Sequence, residues 1–189
     1  FKLEPQGSSA DGSHLLIWAN RPLTPDAAPG KATQLYECIG GDQLRLASVL
    51  PNGEASPQGG SAGTDTGGLT AGFGFRENNI TGAISDDGSR IFWTAAFGVG
   101  PLYVRIDGAE TVQIAPANAQ FRVASPDGER VIYSVGKELF EGSVEPGAST
   151  STKIAGEVDG FMGASRDTQL LYLVSQEDLD AEGPAKAGE

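Results

Sequence analysis

Short runs of β-branched and aromatic residues recur along this chain, each set off by polar turn signals. Three of them follow one phrase. Ser125-Pro126-Asp127-Gly128 leads into Val131-Ile132-Tyr133, Ser85-Asp86-Asp87-Gly88 into Ile91-Phe92-Trp93, and Ser9-Ala10-Asp11-Gly12 into Leu15-Leu16-Ile17-Trp18. A worn copy, Ser165-Arg166-Asp167-Thr168, precedes Leu170-Leu171-Tyr172. Asp-Gly suits a tight hairpin, because Gly accepts positive φ without steric cost and Asp tolerates that region. The serine hydroxyl can bond locally to the turn backbone. Thr168 departs from the pattern, so its turn must change type or accept strain. Asp87, Asp127 and Asp167 are spaced by 127 − 87 = 40 and 167 − 127 = 40 residues. A strand-like unit repeated at that period predicts the four-stranded blades of a propeller.

Read in order, residues 1–53 predict one blade. An extended segment runs into the first Asp-Gly turn, Leu15 to Trp18 return, and Gln34 to Ile39 and Leu44 to Leu50 complete an antiparallel sheet. Residues 21–31 hold three prolines and predict a long connection inside that blade. Residues 54–76 carry the densest Gly, Ser and Thr run and predict an inserted loop between blades, with Phe73 and Phe75 pinning its far end. This loop accounts for the step of 76 residues from Asp11 to Asp87. Residues 77–117 and 118–157 predict two compact blades, the first of them opening on an innermost strand over 79–85. Residues 158–189 predict half of a fourth, lacking two strands. The expected class is therefore an all-β, incomplete β-propeller of about three and a half blades.

Two details favour this geometry. A Leu-aromatic pair opens the third strand of each full blade, at Leu35-Tyr36, Leu102-Tyr103 and Leu139-Phe140. The strand before three of the turns ends in small residues: Gly82-Ala83-Ile84-Ser85, Val123-Ala124-Ser125 and Gly163-Ala164-Ser165. Small side chains suit innermost strands, where backbones converge on a central channel. Ile91, Trp93, Leu102, Val131, Tyr133, Leu139 and Leu171 are the expected packing between blades. The open first and last faces would need a cover, either the remainder of the same protein or a second chain.

Composition narrows the function classes. The formal net charge of −12 repels a phosphate backbone and supplies no basic stripe, so nucleic acid is not an expected partner. No apolar stretch is long enough for a membrane helix. The chain opens on Phe1 rather than Met, as expected of a processed, excised or partial chain. Cys38 is the single cysteine, which excludes an intrachain disulfide and predicts a small side chain at least half buried in a strand. His14 is the single histidine, which removes the common multi-histidine metal sites. Gly59-Gly60-Ser61-Ala62-Gly63 matches the nucleophile-elbow pattern, but it lies in the expected loop with no strand-to-helix turn. Asp86-Asp87 lacks calcium-loop spacing. Asn79-Ile80-Thr81 has the form of a glycosylation acceptor but falls in an expected strand. No catalytic, metal or cofactor-binding residue is assigned.

The Ser125-Pro126-Asp127-Gly128 phrase, the Val131-Ile132-Tyr133 run and the Leu139-Phe140 strand together resemble the TolB-type β-propeller repeat. The resemblance covers most of the chain, residues 54–76 excepted. It implies a WD40-like propeller and an extracytoplasmic setting, periplasmic, secreted or at the surface of a bacterium, and it implies no shared catalytic set. The expected function is a non-catalytic module that presents loops to a protein, peptide or glycan. The alternatives are the propeller portion of a larger secreted peptidase-like enzyme and a structural surface-assembly component.

Overall fold

The computed structural model describes residues 1–30, 32–65, 78–96, 98–177 and 179. These form strands and turns, and no helix among them is long and apolar enough to cross a membrane. The first sheet has the order β1 (Leu3–Ser8), β2 (His14–Ala19), β3 (Gln34–Ile39), β4 (Gln43–Leu46). A short β5 (Gly60–Ala62) follows, then the pair β6 (Thr64–Asp65) and β7 (Asn78–Asn79). The second sheet joins β5 to β8 (Arg90–Ala95), β9 (Leu102–Ile106) and β10 (Glu110–Ala115). The third runs β11 (Ala119–Ala124), β12 (Arg130–Val135), β13 (Glu138–Glu145), β14 (Ala148–Ala155). A last hairpin pairs β15 (Val158–Ala164) with β16 (Leu171–Ser175). All pairing is antiparallel between neighbours, so the molecule is an incomplete β-propeller of three four-stranded blades and one two-stranded blade.

Alternation along the second strand of each blade shows how the blades stack. Leu16 and Trp18, Phe92 and Thr94, and Ile132 and Ser134 are all buried on the face turned to the next blade. Their counterparts in the last hairpin, Tyr172 and Val174, are 59% and 54% exposed. The opposite face of blades two and three holds Ile91, Trp93, Val131 and Tyr133, all buried against the blade before. Within each sheet that face is tied by cross-strand ring stacking, Trp93 on Tyr103 at 4.7 Å and Tyr133 on Phe140 at 5.3 Å between centroids. Leu102 and Leu139 are fully buried, as the repeat predicts. Leu171 is only half buried, because it packs on Ile132 and Leu139 from a blade that is itself half built.

Blade one is capped by its own connection. Leu23 and Ala27 cover Ala19, Tyr36, Leu46 and Val49, a cluster apart from the main core. The Leu23 amide donates to the Tyr36 hydroxyl at 3.0 Å, and that hydroxyl lies 3.3 Å from the Arg21 carbonyl. The three-proline segment is thus a lid on the first blade as well as a linker. Leu15, 39% exposed, lies beyond its reach.

Two expectations need correction. Residues 60–62 were expected in the loop between blades, and they form β5 instead, paired with Ala95, Thr94 and Trp93 of β8. The innermost strand of blade two is split. Its upstream piece is β5, and its downstream piece is residues 83–85, where Ile84 bridges Ile91 and the Phe92 amide donates to the Ala83 carbonyl. The Gly-rich insertion therefore interrupts a strand. Its middle, including Phe73 and Phe75, lies outside the described residues. Small residues are required at β5 because a Cβ on Gly60 would stand 2.8 Å from both Ser48 Cβ and the Trp93 ring. The strand expected over 44–50 ends at Leu46, because the amides of Ala47 and Ser48 both turn onto the one carbonyl of Leu35.

Two substitutions test the stacking. Leu139→Ala is expected to lower unfolding free energy by about 2–5 kcal/mol in urea titration, as for a fully buried leucine. Gly88→Val is expected to cost at least on the order of 1–3 kcal/mol from its φ of +78° alone, since a branched side chain is strained there.

Candidate functional site

The four repeat turns share one hydrogen-bond scheme. In blade two the Ser85 hydroxyl donates to the Asp87 carboxylate at 2.6 Å and accepts from the Arg90 amide at 2.9 Å. Asp87 also accepts from the Ser89 amide at 2.9 Å, and the Gly88 amide donates to the Ser85 carbonyl at 3.0 Å. Ser9/Asp11, Ser125/Asp127 and Ser165/Asp167 repeat the arrangement. Only the fourth residue of each phrase has positive φ: Gly12, Gly88, Gly128 and Thr168 at +72°, +78°, +67° and +58°. The aspartate therefore serves as an acceptor and does not share the left-handed conformation. Thr168 keeps the turn type and accepts the strain, fully buried, with its hydroxyl on the Asp167 carbonyl at 2.7 Å.

The first turn is joined to the second, and the second to the third. The Ala10 amide donates to the Asp86 carbonyl at 2.9 Å, and the Asp86 amide to the Pro126 carbonyl at 2.7 Å. Side chains reinforce this chain of turns. The His14 ring fills the space over Gly88, where a Cβ would lie 2.3 Å from the ring, and Arg90 does the same over Gly128. Arg90 also donates to the Asp127 carbonyl at 3.1 Å. Beneath His14, the buried Glu37 carboxylate meets His14 Nδ1 and Arg45 Nε, each at 2.5 Å. Arg130 and Glu141 hold the equivalent places in blade three, 2.5 Å apart.

The second, third and fourth turns and the small-residue strand ends surround a cavity of about 460 Å³. Its walls are Gly82, Ile84, Val123, Ala124 and Ala164, and its rim carries Ser125, Pro126, Asp86 and Arg166. Arg166 and Asp86 form an ion pair across the rim, 80 residues apart in sequence. The size falls within the range of small-molecule and peptide subsites. The small-residue ends were legible in the sequence as convergent strands. The Arg166–Asp86 pair was not, because both occupy the variable second position of the phrase, which elsewhere holds Ala10 and Pro126.

The other singled-out residues lie elsewhere. Ser61 sits inside β5 with no exposed surface, and its hydroxyl has no hydrogen-bond partner among the described residues. His14 is half buried, held by Glu37 against Gly88, and Ser61 pairs instead across from Thr94. Cys38 is half buried on β3. Asn79 lies in β7, paired with Thr64. Among the described residues no three His, Cys, Asp or Glu side chains group to hold a metal ion.

The turn carboxylates have low pKa values because the ionised form receives the hydrogen bonds. Asp11 is lowered to about 2, chiefly by the Ser13 amide, then by the Ser13 and Ser9 hydroxyls. Asp87 is lowered to about 2, chiefly by the Ser85 hydroxyl and the Ser89 amide. Asp127 and Asp167 are lowered by their equivalents. A folded pKa below the unfolded one adds stability above pH 4, and that stability is lost as pH falls toward 2. Stability of the protein is therefore expected to decline across that window. The Asp87→Asn variant should be less stable at pH 7 and show a shallower decline, measured by urea unfolding between pH 2 and 7. An unchanged slope would contradict the assignment. Compared with protein-family models and with curated proteins, the chain has no significant match to either.

Proposed function

We propose that this chain is a non-catalytic binding and scaffold module of TolB-type propeller character, working outside the cytoplasm. It takes a protein, peptide or glycan partner at the face formed by the Ser-x-Asp-Gly turns. The observation that carries this reading is the 460 Å³ cavity, with its floor of small residues and its exposed Arg166–Asp86 rim. A floor of Gly82, Ala124 and Ala164 lets a ligand approach the backbone closely. The rim supplies one charge of each sign, and so can orient a polar backbone or a sugar without strong preference for net charge. The first three turns are tied in succession by backbone hydrogen bonds and the fourth reaches the second through Arg166 and Asp86, and a preorganised rim spares a ligand the cost of ordering it. The TolB-type character rests on the repeated phrase and the Leu-aromatic third strands.

Selection of a displayed random-peptide library on the protein tests the site. Selected binders are expected to lose at least about tenfold in affinity when Arg166→Glu is introduced, with the melting temperature unchanged. Binders indifferent to Arg166→Glu and to Asp86→Arg, or a selection yielding no binders, would contradict the assignment.

A further inference from the structure

We infer that the insertion of blade two, residues 63–82, is the specificity-determining element of the turn-face cavity, with Thr81 as the residue that meets a ligand. The segment is spliced between two consecutive places of an otherwise regular inner strand. The inference rests on the binding reading of that cavity and adds the residue that selects within it.

The splice is visible at Phe92. On one side of the interruption the Gly63 amide donates to the Phe92 carbonyl at 2.8 Å, and on the other the Phe92 amide donates to the Ala83 carbonyl at 2.7 Å. These are the two bonds that one residue opposite Phe92 makes in an antiparallel ladder. Ala62 pairs with Trp93 before the interruption, and Ile84 bridges Ile91 after it. Joining Ala62 directly to Ala83 would therefore keep the register, with Ala83 opposite Phe92. In blades one and three the inner strands, β1 and β11, carry no such insertion. The blade does not need residues 63–82, and a segment of that length inside a compact domain points to a use of its own.

The two ends of the insertion lie along the inner edge of β11. Thr64 pairs with Asn79, and its buried hydroxyl accepts from the Phe121 amide at 2.6 Å, on the edge of β11 turned away from β12. Residues 80–83 form a turn closed by the Ala83 amide on the Ile80 carbonyl at 3.1 Å, with Gly82 at a φ of +70°. A Cβ on Gly82 would stand 3.2 Å from the Ala124 carbonyl oxygen, so the tip of this turn rests on the end of β11. The insertion thus touches β11 at Phe121 and again at Ala124. Its tip, Thr81-Gly82, is thereby held on the cavity wall.

Thr81 is exposed at that tip. It adds a hydroxyl to a wall otherwise made of Gly82, Ile84, Val123, Ala124 and Ala164, while the charged pair sits on the rim. One hydrogen-bonding group on such a wall discriminates between ligands, because a ligand that covers it without bonding to it leaves it unpaired.

The test uses peptide binders selected on the whole protein that depend on Arg166. Thr81→Val, at an exposed turn position, is expected to lower their affinity at least about fivefold with the melting temperature unchanged. The variant lacking residues 63–82 is expected to fold, to show slow exchange of the Ala83 amide on the scale of β8, and to lose these binders at least about tenfold. Arg166-dependent binders that keep their affinity for both variants would overturn this inference and leave the cavity reading standing. Failure of the shortened chain to fold, or fast exchange at its Ala83 amide, would overturn the splice. Binders indifferent to both Arg166 and Asp86, or no binders at all, would overturn this inference together with the cavity reading.

Discussion

The structure depends on the way the first three Ser-x-Asp-Gly turns are locked to one another in succession. Within a turn, one serine hydroxyl and one carboxylate satisfy the amides that a sharp reversal leaves without ladder partners. Between turns, the Ala10 and Asp86 amides reach carbonyls of the following blade, and His14 and Arg90 lie over the following glycine. The absence of a side chain at Gly88 and Gly128 is thus what lets one blade rest on another. Where Thr168 replaces the glycine, its side chain is fully buried.

Stacking in one direction gives the molecule two unlike ends. The first blade turns its outward face under the Arg21–Gly30 segment, which seals Tyr36 and its neighbours. The last hairpin turns Tyr172 and Val174 outward with nothing described above them. The two ends therefore do not complement each other.

Much of this was legible in the sequence because the repeat carries its own physics. The spacing of Asp87, Asp127 and Asp167 located the turns, and the Leu-aromatic pairs located the third strands. Alternation identified Ile91, Trp93, Val131 and Tyr133 as core. The split inner strand of blade two was not legible. Gly60, Ser61 and Ala62 have loop-like composition, and they are buried only because Trp93 and Ser48 approach so closely that nothing larger fits. The capping role of residues 21–30 was hidden for a similar reason: prolines signal a connection, and only the contact with Tyr36 shows what it covers. The rim pair Arg166–Asp86 joins distant copies of the phrase at its most variable position, where no repeat-based argument could find it.

The lock between successive turns can be measured directly by residue-resolved amide hydrogen exchange. The amides of Ala10 and Asp86 lie in exposed turns, yet each is bonded to the next blade. The account predicts that both exchange slowly, on the scale of amides inside β8 and β12. Arg166, at the same place in the last turn, should exchange quickly. Fast exchange at Ala10 and Asp86, equal to that at Arg166, would contradict the stacked arrangement on which the whole description rests.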